Sequence, residues 1–239
     1  KKADWLTKAK KRKMKKKDRG IVEIMMLTRH FFKELPQWLN EMTDPRHPSY
    51  TTYSQADLVL MGMLKNMCAV KSMRSMEETF NEDACIATLR ILSGDQGLSE
   101  MPHADTLNYY LERLSPQCLA DVRKKMVKSL IRKKSFSRSR LLGKYWRVII
   151  DGTGLFYFRE KHCENCLVTT VTREVDGKEV KVKRYYHKVL EAKLLLSPGI
   201  LISLDTEFIE NEKEDVSKND CEINAAKRLL ERLHKDYTR

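Results

Sequence analysis

Along the first 140 or so residues, apolar side chains recur near helical spacing. Ile21, Ile24, Met25, Leu27, Phe31, Phe32 and Leu35 predict a helix that Pro36 breaks, and Asp44-Pro45-Arg46-His47-Pro48 reads as a loop. Ser54 is placed to cap a helix over 55–70 with Leu58, Met61, Met63, Leu64 and Met67 on its buried side. Ser75–Phe80 and Cys85–Leu92 predict two short helices. Pro102 leads into another, holding Thr106, Leu107, Tyr110, Leu111 and Leu114, and Ser115-Pro116 starts one running through Leu119, Val122, Met126, Leu130 and Ile131. At Tyr145 the period changes. Arg147–Phe158 is β-branched and aromatic, and Leu167–Val175 ends in Asp176-Gly177, a hairpin turn into Val180–Arg184. Tyr185–Leu196 and Ile200–Ile209 predict further strands, and Asn219 opens a last helix with Ala225, Ala226, Leu229, Leu230 and Leu233 inward. The expected fold class is α+β or α/β: an all-helical N-terminal domain, then strands, then one helix.

Composition narrows the class. With 41% hydrophobic and 33% charged residues in a 239-residue chain, wholesale disorder is excluded and a packed core is expected. No apolar run approaches the roughly 18 residues a membrane-spanning helix needs, so no membrane partner is expected. The N-terminus is lysine-rich with no apolar stretch behind it, unlike a signal peptide, and its first residue, Lys1 rather than Met, points to a trimmed start. Six cysteines are too few for a disulfide scaffold, which points to reduced thiols in the cytoplasm.

Charge is unevenly spread. Residues 1–20 carry eleven Lys/Arg against two Asp, and 121–147 carry eleven against one, whereas 205–224 carry eight acids against two lysines. The first block reads equally as a solvated basic tail. The second interleaves Ser135, Ser137 and Ser139 with cations, the mixture that phosphate contacts require. Lys124, Lys125, Lys128, Arg132, Lys133, Lys134, Arg138 and Arg140 are therefore the candidate DNA-binding residues. The expected division is 1–20 a basic tail, 21–143 a helical domain of DNA-binding type, and 144–239 the β-rich domain.

Four short segments stand out for their polar residues. Asp151 follows Val148-Ile149-Ile150 on an apolar strand and precedes Gly152 and Gly154, which suits a divalent metal ligand; the same residues also read as a hairpin with Asp151-Gly152 as its turn. The order Asp-Gly-Thr-Gly is not the Asp-Thr-Gly of aspartic proteases. Cys163 and Cys166 form a Cys-x-x-Cys pair, half of a structural Zn²⁺ site whose other ligands are sought among His162, His187 and Cys221, or else a pair of buried or loosely placed thiols. The pair lies between strands and does not open a helix, which disfavours a redox role. Asn219 in Lys218-Asn219-Asp220-Cys221-Glu222 reads as a helix cap, and Asp105 or Thr106 as the cap after His103.

The ordered set Met101-Pro102-His103-Ala104-Asp105-Thr106, Ile149-Ile150-Asp151-Gly152-Thr153-Gly154, His162-Cys163-Glu164-Asn165-Cys166, Tyr185-Tyr186-His187 and Lys218-Asn219-Asp220-Cys221-Glu222 resembles insertion-sequence transposases of the DDE type, over roughly residues 44–239. The resemblance implies an RNase H-like catalytic domain, with Asp151 as the first of three metal-binding carboxylates. It also implies Mg²⁺ or Mn²⁺ as cofactor, two-metal phosphoryl transfer on DNA, and double-stranded DNA at transposon ends as partner. A homodimer and a nucleoid-associated cytoplasmic location go with it. In that fold three strands precede a helix, and the second Asp follows a fourth strand beyond it. The helix from Asn219 fills the first of those places and the sequence closes with it, so the expectation is a partial sheet that is inactive by itself. The competing expectations are a non-catalytic, repressor-like DNA binder, an unrelated metal-dependent nuclease pairing Asp151 with acids between Asp205 and Glu222, and a zinc-stabilised interaction module.

Overall fold

The computed structural model describes residues 16–175, 177–197, 199–211 and 219–237. The chain divides into two compact units, 1–129 and 130–239, so the division falls before the expected boundary at 143/144.

The first unit is helical: α1 (Lys16–Phe31), α2 (Leu35–Asn40), α3 (Gln55–Met67), α4 (Met73–Phe80), α5 (Asp83–Ser93), α6 (Ala104–Arg113) and most of α7 (Pro116–Arg132). The helix expected to begin at Ile21 starts at Lys16, taking in the end of the basic tail; residues 1–15 lie outside the described residues. Pro36 does not end a helix. It occupies the first turn of α2, where its missing N–H costs nothing. The core gathers Met25, Leu39, Leu58, Met61, Leu64, Met76, Phe80, Leu89, Leu107 and Tyr110, all almost fully buried. Tyr110 is the polar pin of that core. Its hydroxyl donates to Gln55 Oε1 at 3.1 Å, while Gln55 Nε2 donates to the Met42 carbonyl at 2.8 Å. Burial pushes the Tyr110 phenol up to about 12.

The second unit is an antiparallel sheet with one long helix. β1 (Arg147–Phe158) pairs along one edge of β3 (Lys178–Leu195). The other edge of β3 is shared end to end, by β2 (Leu167–Val175) over its first half and β4 (Leu201–Ile209) over its second. The segments expected as two strands, 180–184 and 185–196, are one continuous strand. The turn joining β2 to β3 places Gly177 at φ +74°, a conformation glycine adopts without penalty; Asp176 lies outside the described residues. α8 (Glu222–Tyr237) packs on β3 and β4, burying Ala225 and Leu229 against a face that carries Leu190, Ala192 and Leu194. No helix among the described residues is long and apolar enough to cross a membrane.

Candidate functional site

β1 settles the local choice at Asp151. Asp151 and Gly152 are not turn residues: both lie inside the strand, opposite Glu191 and Leu190 of β3. Directly paired residues project to the same face of a sheet, and successive residues to opposite faces. Leu190 and Ala192 are buried on the α8 side, so Gly152 and Ile150 share that side, and Asp151 projects with Glu191 to the other. Two carboxylates thus stand side by side on adjacent strands, Asp151 exposed and Glu191 half-buried beside Lys193, whose Nζ lies 3.0 Å from Glu191 Oε2. Sequence reading missed Glu191. The signal was a lone acid inside Val189-Leu190-Glu191-Ala192, but its partner is set by register, which the sequence does not state.

Other acids are committed elsewhere. Asp205 pairs with Ala192 across β3/β4 and so faces α8, the opposite side from Asp151; its Oδ2 accepts from Arg232 Nε at 2.7 Å. Glu207 bonds both Arg228 and Arg232, and Asp220 Oδ2 accepts from Arg228 Nη2 at 2.7 Å. Burial raises the Asp220 carboxyl, but the Arg228 hydrogen bond and charge, together with the Cys221 N–H, outweigh it and hold the group below its ordinary value. Glu222 binds Lys188, raising that ammonium, and a Cβ at Gly152 would overlap the Glu222 carboxylate. Gly152 is therefore the gap in which this ion pair lies.

A second constellation forms at the base of the β2–β3 arm. Cys163 Sγ lies 3.3 Å from His187 Nε2 and 3.7 Å from Cys166 Sγ, and Cys166 Sγ lies 3.3 Å from the same nitrogen. Among the described residues this is the one group of three or more His, Cys, Asp or Glu ligand atoms within 4.8 Å of one another, and Asp151 belongs to none. Burial and the neighbouring Cys166 push the Cys163 thiol up. Cys221 does not join the group. Nor does His162, whose ring stacks on Phe158 at 4.5 Å. Asn219 does not cap α8, which begins at Glu222. Its side chain instead brackets Val168, accepting from the backbone N–H and donating to the carbonyl.

The basic candidates divide by environment. Within the first unit, Lys124 Nζ lies 3.2 Å from Asp121 and Lys125 Nζ 3.4 Å from Glu41, and Lys128 stands one turn beyond Lys124. Past α7 the chain turns back through Lys134 at φ +56°, with the Ser135 N–H reaching the Leu130 carbonyl. Arg132, Lys133, Lys134, Arg138 and Arg140 are all exposed there, and the Arg140 guanidinium lies 4.8 Å from the Trp146 ring centroid. The sheet adds cations that the sequence reading passed over. Arg159, Arg173, Lys183 and Arg184 line an open cleft of 330 Å³ with Tyr157, Phe158 and Val182, and Arg184 stacks 4.1 Å over Tyr157. The chain matches no protein-family model, no curated protein and no solved structure.

Proposed function

We propose that this chain is part of a DDE-type DNA transposase. Its second unit would supply the first strands and first helix of an RNase H-like catalytic domain, and its basic segments would hold double-stranded DNA at transposon ends. The observation that carries the reading is the placement of Asp151: mid-strand on β1, in an antiparallel β1–β3–β4 series followed by a helix, on the face that α8 leaves uncovered. Exposed cations after α7 and the aromatic-basic cleft on the sheet add the phosphate-binding chemistry such a protein needs.

Asp151 and Glu191 fit a hard cation such as Mg²⁺, which takes oxygen ligands, commonly one or two carboxylates with water and substrate phosphate completing the set. Bound there, the ion would polarise a phosphodiester. Lys193, beside Glu191, offsets the repulsion between the two acids and keeps them together. One carboxylate pair holds one ion, whereas two-metal phosphoryl transfer needs a further converging acid. The metal-nuclease alternative would draw that acid from Asp205, Asp220 or Glu222, but all three engage the α8 side of the sheet, away from the face that carries Asp151.

The test is a fluorescence-anisotropy titration of the 239-residue chain with a mixed-sequence duplex, alongside a Mg²⁺-dependent nicking assay. Salt-sensitive binding, equal for wild type and Asp151→Ala, with no nicking by either, is expected. Failure to bind duplex at low salt would overturn the DNA reading. Nicking that survives Asp151→Ala would overturn the assignment of Asp151.

A further inference from the structure

We propose that Cys163, Cys166 and His187 form a zinc site with three protein ligands and a fourth, solvent-held position. The inference is independent of the transposase reading and rests on the geometry of the group. A tetrahedral Zn²⁺ with Zn–S near 2.3 Å and Zn–N near 2.0–2.1 Å requires S···S edges of about 3.8 Å and S···N edges of about 3.6 Å. The three side chains already stand at 3.7, 3.3 and 3.3 Å. The Sγ–Sγ separation is far from a disulfide, and two thiolates with an imidazole are the soft and borderline donors that select zinc over Mg²⁺ or Ca²⁺.

The fold builds this triangle from two places. The Cys-x-x-Cys turn, closed by the Cys166 N–H on the Cys163 carbonyl, lies between β1 and β2, whereas His187 sits on β3 opposite Phe156. Asn211 bolts the turn down: its N–H meets the Asn165 carbonyl, its carbonyl accepts from Asn165 Nδ2, and its own Nδ2 donates to the Cys166 carbonyl. The Phe158 ring meets the His187 ring at 76°, fixing the imidazole plane. Cys166 is buried and Cys163 lies at the solvent side, where the fourth position opens. Zinc would therefore tie the loop after β1 to the middle of β3, at the root of the basic β2–β3 arm.

The experiment measures zinc in the chain purified without added chelator, followed by Co²⁺ substitution. The expected result is about one zinc per chain. Metal is lost in Cys163→Ser and Cys166→Ser but retained in His162→Ala and Cys221→Ser. His187→Cys guards against mere misfolding: it should keep one Co²⁺ and show stronger thiolate-to-cobalt absorption than wild type. Absence of zinc from wild type together with failure to take up Co²⁺ would overturn the site, as would metal content unchanged by Cys166→Ser. Loss of metal from His162→Ala would overturn the three-ligand assignment.

Discussion

Ser54 and Asp57 close the N-terminus of α3 as a reciprocal pair: Ser54 Oγ accepts from the Asp57 N–H, and Asp57 Oδ2 accepts from the Ser54 N–H and hydroxyl. Asp57 is buried, and its Oδ1 has no hydrogen-bond partner. Burial raises its carboxyl above the ordinary value of 3.8 against the Ser54 and Ser93 hydroxyls that favour the charge, with Asp95 raising it further. A proton on Oδ1 leaves the two Oδ2 bonds intact, so the neutral form suits the folded state. For a carboxyl raised on folding, the stabilising contribution is fully present below the unfolded value and is lost as pH rises through the folded one. Urea midpoints of the first unit's transition should therefore fall as pH rises above about 4, and Asp57→Asn should flatten that slope. An unchanged slope in the variant would show that another group titrates. Sequence marked Ser54 as a cap because its signal is local. At α6 the same logic failed: His103, not Asp105 or Thr106, holds the cap, its Nδ1 accepting from the Asp105 N–H at 3.2 Å.

α8 is held to the sheet by ion pairs as well as by Leu229 and Ala225. Arg228 and Arg232, one turn apart, reach down to Glu207, Asp205 and Asp220, whose side chains are 13–16% exposed. Removing one guanidinium leaves desolvated carboxylates facing each other, the costly way to break a buried pair. Because the arginines are themselves 37–44% exposed, solvent screening lowers the cost. Arg232→Met should destabilise the second unit by about 1–2 kcal/mol, read as a lower urea midpoint. The triple variant Arg232→Met with Asp205→Asn and Glu207→Gln should recover part of it, and full additivity of the losses would refute coupling. At this scale strand and helix positions were legible, because a period of two or of 3.6 is written into consecutive residues. What those residues meet was not. The continuity of β3, the pairing of Asp151 with Glu191 and the sidedness that separates Asp151 from Asp205 are properties of register. So is the role of Asn219, which reads as a cap because caps and backbone brackets use the same side chain. The Cys163–Cys166 pair was visible for its spacing and His187 was among three candidates beside it, but only the pairing of distant strands selects it over His162 and Cys221.

For the whole molecule, the formal charge of +13 is a difference between basic blocks and an acidic stretch, and exposure decides which cations can meet a polyanion. Asp205, Glu207 and Asp220 are neutralised by the arginines of α8, so the acids near the end of the chain repel DNA less than their number suggests. Lys124 and Lys125 are half-buried beside Asp121 and Glu41, whereas Lys133, Lys134, Arg138 and Arg140 are exposed after α7. Each cation that neutralises a phosphate contributes a slope of about −0.9 to log K against log salt. Replacing Lys133, Lys134, Arg138 and Arg140 together by Ala should make the slope shallower by about 3–4 units, whereas Lys124→Ala with Lys125→Ala should change it by less than about 1. The measurement is a duplex-binding isotherm at several salt concentrations, with circular dichroism to confirm that each variant keeps its helices. Equal changes from the two sets would show that exposure does not govern which cations meet DNA. No change from the four-residue set would move the interface to the Arg159–Arg184 cleft of the sheet, where Arg173→Ala and Lys183→Ala would then carry the loss.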